Sequence, residues 1–160
     1  MAHSREEVRG TLERYLAVRD GINAGNGTWA DLAQFFTEDA VFVDPAWGRV
    51  EGIEEMKATV FGDAMVGLED WKFPTEFYAI EGDNVVVKWK QVLPGQRADG
   101  RPYEQSGVST LIYAGGGKFC NASGPLAVPT ESVGWADTAP PTEADNRSLV
   151  LFDAGAPTGS

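Results

Sequence analysis

The residues with the clearest capacity for chemistry lie in the stretch 39–48, Asp-Ala-Val-Phe-Val-Asp-Pro-Ala-Trp-Gly. Its second aspartate, Asp44, ends a short apolar run and is followed by Pro45. A carboxylate that faces an apolar cavity holds a proton more tightly than one in water, and it can act as a proton shuttle. Asp-Pro is also a common way to begin a turn. Taken alone, these residues favour the turn, and the catalytic interpretation needs further support.

Other kinds of catalytic site find little support in the sequence. The single histidine, His3, stands near the N-terminus, so we expect no metal site. Cys120 is the only cysteine, which excludes an intrachain disulfide and leaves no inner histidine to activate a thiol nucleophile. The run 115–117 of three glycines lacks the lysine-serine or lysine-threonine pair of a phosphate loop and is expected to be a hairpin turn. We therefore expect no cofactor.

Composition limits the class of protein. The chain has 160 residues, which suggests one domain, and a formal net charge of −11. Nucleic acids and anionic membranes both require a basic face, so neither is an expected partner. Because the first residues lack the apolar core of a signal peptide and no apolar run is long enough to span a membrane, we expect a cytoplasmic location.

Three amphipathic helical segments are predicted before the main run of strands. Ser4 and Glu7 have the spacing of a capping box for the first helix, and Thr28 begins a second, short helix. Gly48 and Gly52 bracket a predicted turn, and a third helix follows Gly52 and continues to Leu68. The apolar face of the first helix is formed by Val8, Leu12, Tyr15, Leu16 and Ile22.

Strands dominate the rest of the chain. They are predicted at Ala40–Asp44, Trp71–Ile80, Val85–Leu93 and Tyr103–Ala114, with a return strand beginning at Lys118. The third of these alternates most clearly, with Lys88 and Lys90 on one face and apolar residues on the other. Helices followed by antiparallel strands indicate an α+β fold. We expect three helices packed on a strongly curved, mostly antiparallel sheet that forms a cone-shaped apolar pocket.

The composition changes near residue 120. Residues 1–120 are predicted to form the domain, and residues 121–160, which are rich in Pro, Ala and Gly, a tail that is extended or partly disordered. Pro125 and Pro129 are expected to interrupt the last strand early. Within the tail, only 148–152 has the pattern of a strand.

In order and spacing, this pattern resembles the nuclear-transport-factor-two-like superfamily, and in particular its SnoaL-like and ketosteroid-isomerase-like members. The resemblance covers about residues 5–119. It rests on Glu13-Arg14-Tyr15-Leu16-Ala17, on Asn23-Ala24-Gly25, on the segment from Leu32 to Pro45, on Gly48 and Gly52-Ile53-Glu54-Glu55, and on Gly115-Gly116-Gly117-Lys118.

The resemblance implies roles for three residues. Asp44 matches the aspartate that shuttles a proton in ketosteroid isomerases, and Tyr15 matches the tyrosine that donates a hydrogen bond to the developing enolate. The third family residue, a protonated aspartate, falls on Ser109, which is a weaker acid. The implied chemistry is cofactor-free proton abstraction next to a carbonyl, as in isomerisation or polyketide cyclisation. Without the resemblance, Tyr15 would be assigned to the apolar core.

Alternation along the strands predicts the pocket lining that the resemblance implies. The substrate-contacting set would be Trp47, Phe61, Val87, Trp89, Gln91, Leu111 and Tyr113, although Trp89 and Leu111 could equally fill the core. The partners expected are a small hydrophobic ligand and a second copy in a homodimer. Two alternatives stay open: a non-catalytic ligand-binding or dimerisation domain, and an epoxide hydrolase-like enzyme, for which the sequence offers no evident aspartate-arginine-aspartate trio.

Overall fold

The computed structural model describes residues 2–45 and 48–128. Its helices and strands follow one another along the chain as α1 (Arg5–Asn23), a 3₁₀ helix (Trp29–Phe35), β1 (Phe36–Asp44), β2 (Gly48–Glu51), α2 (Ile53–Ala58), a 3₁₀ turn (Asp63–Met65), β3 (Thr75–Glu81), β4 (Asn84–Gln96), β5 (Pro102–Gly115) and β6 (Lys118–Val128).

All six strands form one sheet in the order β2-β1-β6-β5-β4-β3. Every neighbouring pair is antiparallel except β1 and β6, which run parallel. The sheet is curved and does not close, and three helical segments pack on it. The predicted α+β class and mostly antiparallel sheet are confirmed. Within the described residues, no helix is long and apolar enough to cross a membrane.

Helix α1 begins as predicted, but only half of the capping box forms. The Ser4 hydroxyl accepts a hydrogen bond from the Glu7 backbone N–H at 3.2 Å. The Glu7 carboxylate instead accepts a hydrogen bond from the Tyr113 hydroxyl at 2.7 Å, and so ties the start of α1 to β5. Residues spaced three and four apart bury one face of the helix: Val8, Thr11, Leu12, Leu16, Arg19 and Ile22.

Two local predictions around residues 48–68 are wrong. The expected turn after Gly48 is the short strand β2, whose first residue pairs with Asp44. The third helix ends at Ala58 and does not reach Leu68. Thr59 and Val60 are β-branched, and Gly62 adds a second weak helix former, so the chain continues as turns.

The last strand extends past the predicted start of the tail. Strand β6 continues to Val128 and includes Pro125. Thr110 pairs with Ser123 and Val108 with Leu126, so β6 carries one extra residue between these pairs. Proline is tolerated at such a bulge because its missing N–H is not needed by the ladder. Pro129 and the predicted strand 148–152 lie outside the described residues.

The two faces of the sheet differ as the alternation in β4 predicts. Val85, Val87, Trp89 and Gln91 are buried beneath the helices. On the outer face, Lys88 and Lys90 form ion pairs with carboxylates of the neighbouring strands, at 3.2 Å to Glu76 and 2.6 Å to Glu104 respectively. The core therefore lies between the inner face of the sheet and α1.

Candidate functional site

Asp44 is the last residue of β1, and only 6% of it is exposed. It begins the turn to β2, as the Asp-Pro pair predicts, and its side chain lies on the inner face of the sheet. A β-carbon added to Gly124, on β6, would clash with the Asp44 carboxylate. The carboxylate therefore reaches from its own strand over the neighbouring one, into space that only a glycine leaves open.

Ser109 lies on the far side of Gly124 from Asp44. Val43 pairs with Ser123 on β6, and Ser123 pairs with Thr110 on β5, which sets Asp44 and Ser109 in neighbouring inward positions. Two strand spacings separate their backbones, or roughly 10 Å. The Asp44 carboxylate leans into this gap, so the two predicted residues face one part of the inner surface.

The Ser109 hydroxyl already has a partner, because it accepts a hydrogen bond from the indole N–H of Trp89 at 3.0 Å. The indole ring lies flat against Gly107, where an added β-carbon would come within 2.5 Å of a ring atom. The ring also packs against Phe73, with centroids 5.8 Å apart. Trp89 is thus held from three sides and offers a fixed aromatic surface beside Ser109.

Arg19 lies over that aromatic surface, and the sequence analysis did not select it. Its guanidinium carbon is 5.2 Å from the centroid of the Trp89 ring, and only 6% of the residue is exposed. Within residues 2–45 and 48–128, the guanidinium makes no hydrogen bond and no ion pair. Burial lowers its pKa, an effect that Tyr15 and Asp20 oppose.

The energetics make Arg19 an unusual occupant of this position. Burying an unpaired charge costs several kcal/mol, and a cation–π contact returns about 0.5–2 kcal/mol. The signal that could have found Arg19 is its spacing, since it follows Tyr15 by four residues and Leu16 by three. That spacing puts it on the apolar face of α1.

Tyr15, one turn before Arg19, lies in an aromatic cluster. Its ring makes edge contacts with Phe35, Phe36 and Phe119, at centroid distances of 5.7, 6.2 and 6.0 Å. Burial raises the pKa of its hydroxyl, an effect that Arg19 partly opposes. The phenol therefore stays protonated at neutral pH and can donate a hydrogen bond. None of the described residues is its hydrogen-bond partner.

Tyr15 and Asp44 lie at different ends of the parallel strand pair. Tyr15 contacts the residues that open β1 and β6, whereas Asp44 lies over Gly124 near the other end. Five residues of β6 separate Phe119 from Gly124, which corresponds to roughly 17 Å of strand. Arg19 and Trp89 lie closer to the end occupied by Asp44, because Trp89 pairs with Gly107 and Gly107 with Ala127.

The remaining predicted residues have varied surroundings. Val87 and Leu111 are buried within the core cluster, and Phe61 packs on Phe36 at 5.8 Å between centroids. The Gln91 side-chain oxygen accepts a hydrogen bond from Gln105 at 2.6 Å. Tyr113 donates to Glu7 and accepts from the backbone N–H of the hairpin residue Gly117, so its hydroxyl is engaged away from Trp89. Trp47 lies outside the described residues.

Solved structures share this architecture. A candidate SnoaL-like polyketide cyclase from Jannaschia sp. CCS1 is similar at a TM-score of 0.60 and 20% identity, over 79% of this chain and 90% of that chain. A candidate isomerase of the SnoaL-like family from Agrobacterium tumefaciens strain C58 is similar at a TM-score of 0.54 and 20% identity, over 74% of this chain and 96% of that chain. A candidate hydroxylase from Streptomyces galilaeus is similar at a TM-score of 0.55 and 14% identity, over 78% of this chain and 77% of that chain. At these identities the likeness shows the fold.

Sequence comparison gives the family. No curated protein matches the chain significantly. The sequence profile of the SnoaL-like domain matches residues 3–121, which span every element from α1 to the start of β6. That range contains Asp44, Tyr15, Arg19, Trp89 and Ser109. The chain therefore belongs to the family of SnoaL-like domains.

Proposed function

We propose that this domain is a cofactor-free enzyme that removes a proton next to a carbonyl group, with Asp44 as the general base. The reaction would be an isomerisation or a ring closure of the polyketide-cyclase type. The observation that carries the proposal is the position of the Asp44 carboxylate, which is buried on the inner face and lies over Gly124 in the direction of Ser109. A carboxylate held at the end of a strand on the inner face is suited to meet the C–H bond of a ligand.

The chemistry needs both a base and a stabilised oxyanion. A positioned general base contributes about 10²- to 10⁴-fold to the rate. The negative charge that then develops on the carbonyl oxygen requires donors that are fixed in advance. Ser109 lies across Gly124 from Asp44, and a hydroxyl that accepts a hydrogen bond can still donate its own proton. Tyr15, the donor that the resemblance implies, lies toward the other end of the parallel strand pair. Relatives described as candidate cyclases and isomerases are consistent with this class of reaction.

The direct test is exchange of hydrogen for deuterium next to a carbonyl. We would incubate a panel of cyclic ketones, including a β,γ-unsaturated ketosteroid, with the protein in D₂O and follow the α-protons by NMR. Asp44→Asn should lower any catalysed exchange by about 10²-fold or more. Asp39→Asn is the matched control, since Asp39 is exposed on the same strand, and it should exchange like the wild type. Equal rates in the wild type and Asp44→Asn would exclude Asp44 as the base.

A non-catalytic ligand-binding domain is the second candidate. The observation in its favour is that Ser109, at the position of the second acid, already accepts a hydrogen bond from Trp89. An epoxide hydrolase-like reaction ranks third. Arg19 would supply its buried arginine, but Asp44 is the only buried aspartate among the described residues.

We also propose that two copies associate through the outer face of the sheet. Val43, Phe77, Val86 and Ile112 are the exposed apolar residues on its strands β1, β3, β4 and β5. Strand pairing aligns two of them in one row, from Val43 through Ser123 and Thr110 to Val86. Light scattering should give the mass of a dimer for the wild type and of a monomer for Val86→Lys. A monomeric wild type would exclude the association.

A further inference from the structure

We propose that Arg19 recognises a carboxylate group on the ligand, so that the natural substrate of this domain is an organic acid and not a neutral ketone. This inference rests on the proposed function, because it takes the inner face beside Asp44 to be the ligand site. It changes the expected ligand from a purely hydrophobic molecule to one with an apolar body and one anionic end.

The guanidinium of Arg19 has the chemistry to bind a carboxylate. Arginine presents five N–H donors in a planar fork that matches the two oxygens of a carboxylate. Arg19 is only 6% exposed, and within the described part of the chain its guanidinium has no hydrogen-bond acceptor. Its nitrogens are not among the fully buried unpaired atoms of that part, so they border accessible space. Buried polar groups in proteins are almost always hydrogen-bonded. A ligand carboxylate would satisfy the fork and neutralise its charge together.

The Arg19 side chain is also held in place. Trp89 lies beneath the guanidinium and is itself fixed by the hydrogen bond to Ser109 and by its contact with Gly107. A cation on a fixed aromatic surface loses little freedom when it binds an anion, which favours affinity. On the inner face, Ser109 lies between Trp89 and Asp44. A ligand bound to Arg19 over Trp89 would therefore extend past Ser109 toward Asp44.

The spacing along β5 indicates the size of the ligand. Gly107, which lies against Trp89, and Ser109, which lies beside Gly124 and Asp44, are two residues apart on β5. Two residues of a strand span roughly 7 Å. A molecule whose carboxylate binds Arg19 would therefore present to Asp44 a carbon that is several bonds away from that carboxylate. The substrate class is a keto acid with an extended or cyclic apolar skeleton.

The experiment compares two molecules of nearly equal shape, 2-naphthoate and 2-naphthamide, by isothermal titration calorimetry at neutral pH. The wild type should bind the carboxylate at least about 10-fold more tightly than the amide. Arg19→Met should weaken binding of 2-naphthoate by about 10- to 100-fold and leave that of 2-naphthamide unchanged. Arg19→Lys retains the charge without the fork, so its affinity for 2-naphthoate should lie between those of the wild type and Arg19→Met. Arg9→Met removes an exposed arginine of the same helix and should bind like the wild type.

Several outcomes would overturn the proposal. They are equal affinity for the two molecules in the wild type, absence of 2-naphthoate binding at millimolar concentration, or retained selectivity in both Arg19 variants with native circular dichroism. Asp44→Asn separates this proposal from the proposed function, because it should abolish exchange and keep the carboxylate selectivity. Selectivity for 2-naphthoate without catalysed exchange of α-protons would support a binding domain for organic acids. Catalysed exchange without this selectivity would support the proposed enzyme and overturn the carboxylate site at Arg19.

Discussion

Gly124 lies directly beneath the carboxylate of Asp44, on the strand that runs parallel to β1. The contact is so close that no other residue type fits there while Asp44 keeps its position. The glycine therefore does more than permit a turn or a bulge. It defines where the carboxylate lies, because the Asp44 side chain fills the space that a β-carbon would take.

Gly124→Ala tests this relationship. The added methyl group should displace the Asp44 carboxylate and lower the free energy of unfolding by about 1–3 kcal/mol, the usual cost of overpacking. In an Asp44→Ala background, Gly124→Ala should lower the free energy of unfolding only slightly, because the carboxylate no longer occupies that space. Urea denaturation of the four proteins in this double-mutant cycle measures the coupling. An equal cost in both backgrounds would show that Asp44 is not the residue displaced.

Replacing Arg19 should stabilise the fold. Arg19→Met removes a buried charge that lacks a partner in the described residues and puts an apolar side chain of similar length over Trp89. We expect the free energy of unfolding to rise by on the order of 1 kcal/mol, after the loss of the cation–π contact. Arg9→Met, on the exposed face, should stay within about 0.5 kcal/mol of the wild type. A clear loss of stability in Arg19→Met would mean that Arg19 has a structural partner.

The titration of Tyr15 should depend on its burial. Burial raises the pKa of this phenol in the folded state above its value of about 10 in the unfolded chain. The protonated Tyr15 side chain therefore contributes fully to stability below the unfolded pKa. This contribution is lost as pH rises through the folded pKa. Tyr15→Phe should flatten the loss of thermal stability in this alkaline window. Phenolate absorbance should show one of the four tyrosines ionising late in the wild type, and a late step that persists in Tyr15→Phe would contradict the assignment.

Thr75 offers a test that does not involve the site chemistry. Its hydroxyl is buried and has no hydrogen-bond partner among the described residues. Thr75→Val keeps the shape of the side chain and removes the polar atom, so it should stabilise the protein by about 1 kcal/mol in urea denaturation. Thr110→Val is the control, because the Thr110 hydroxyl is exposed and lies 2.7 Å from that of Ser123. If Thr75→Val and Thr110→Val changed the free energy of unfolding equally, burial of the Thr75 hydroxyl would not explain the stabilisation.

The fold could be predicted because its signals are local and repeated. Strict alternation in β4 gave the inner and outer faces correctly, since the side-chain period of a strand is two. Helical spacing gave the buried face of α1 for the same kind of reason. Strand β2 was missed because four residues are too few to show a period. The extent of β6 was missed because the tolerance of Pro125 depends on a bulge between strands, which is a tertiary property.

The candidate site was less accessible to sequence reasoning. Asp44 was selected from its place after an apolar run, whereas Tyr15 and Ser109 came from the resemblance. The hydrogen bond between Ser109 and Trp89 could not be foreseen because it joins two strands. Arg19 was overlooked because a charge on a helix is ordinarily assigned to solvent. Its place in the helical period was visible, and a charged residue in an apolar register is the observation that should have drawn attention.

The order of strands has a consequence for synthesis of the protein. Strand β6, the last of the described strands, lies in the middle of the sheet and is the only link between β1 and the β3–β5 meander. A nascent chain that has not yet released β6 from the ribosome can form the meander, but it leaves both β1 and β5 with an unpaired edge. Asp44 then has no Gly124 beneath it. Assembly of the site must therefore wait until β6 has emerged, and the exposed edges before that moment are where a chaperone would be expected to bind.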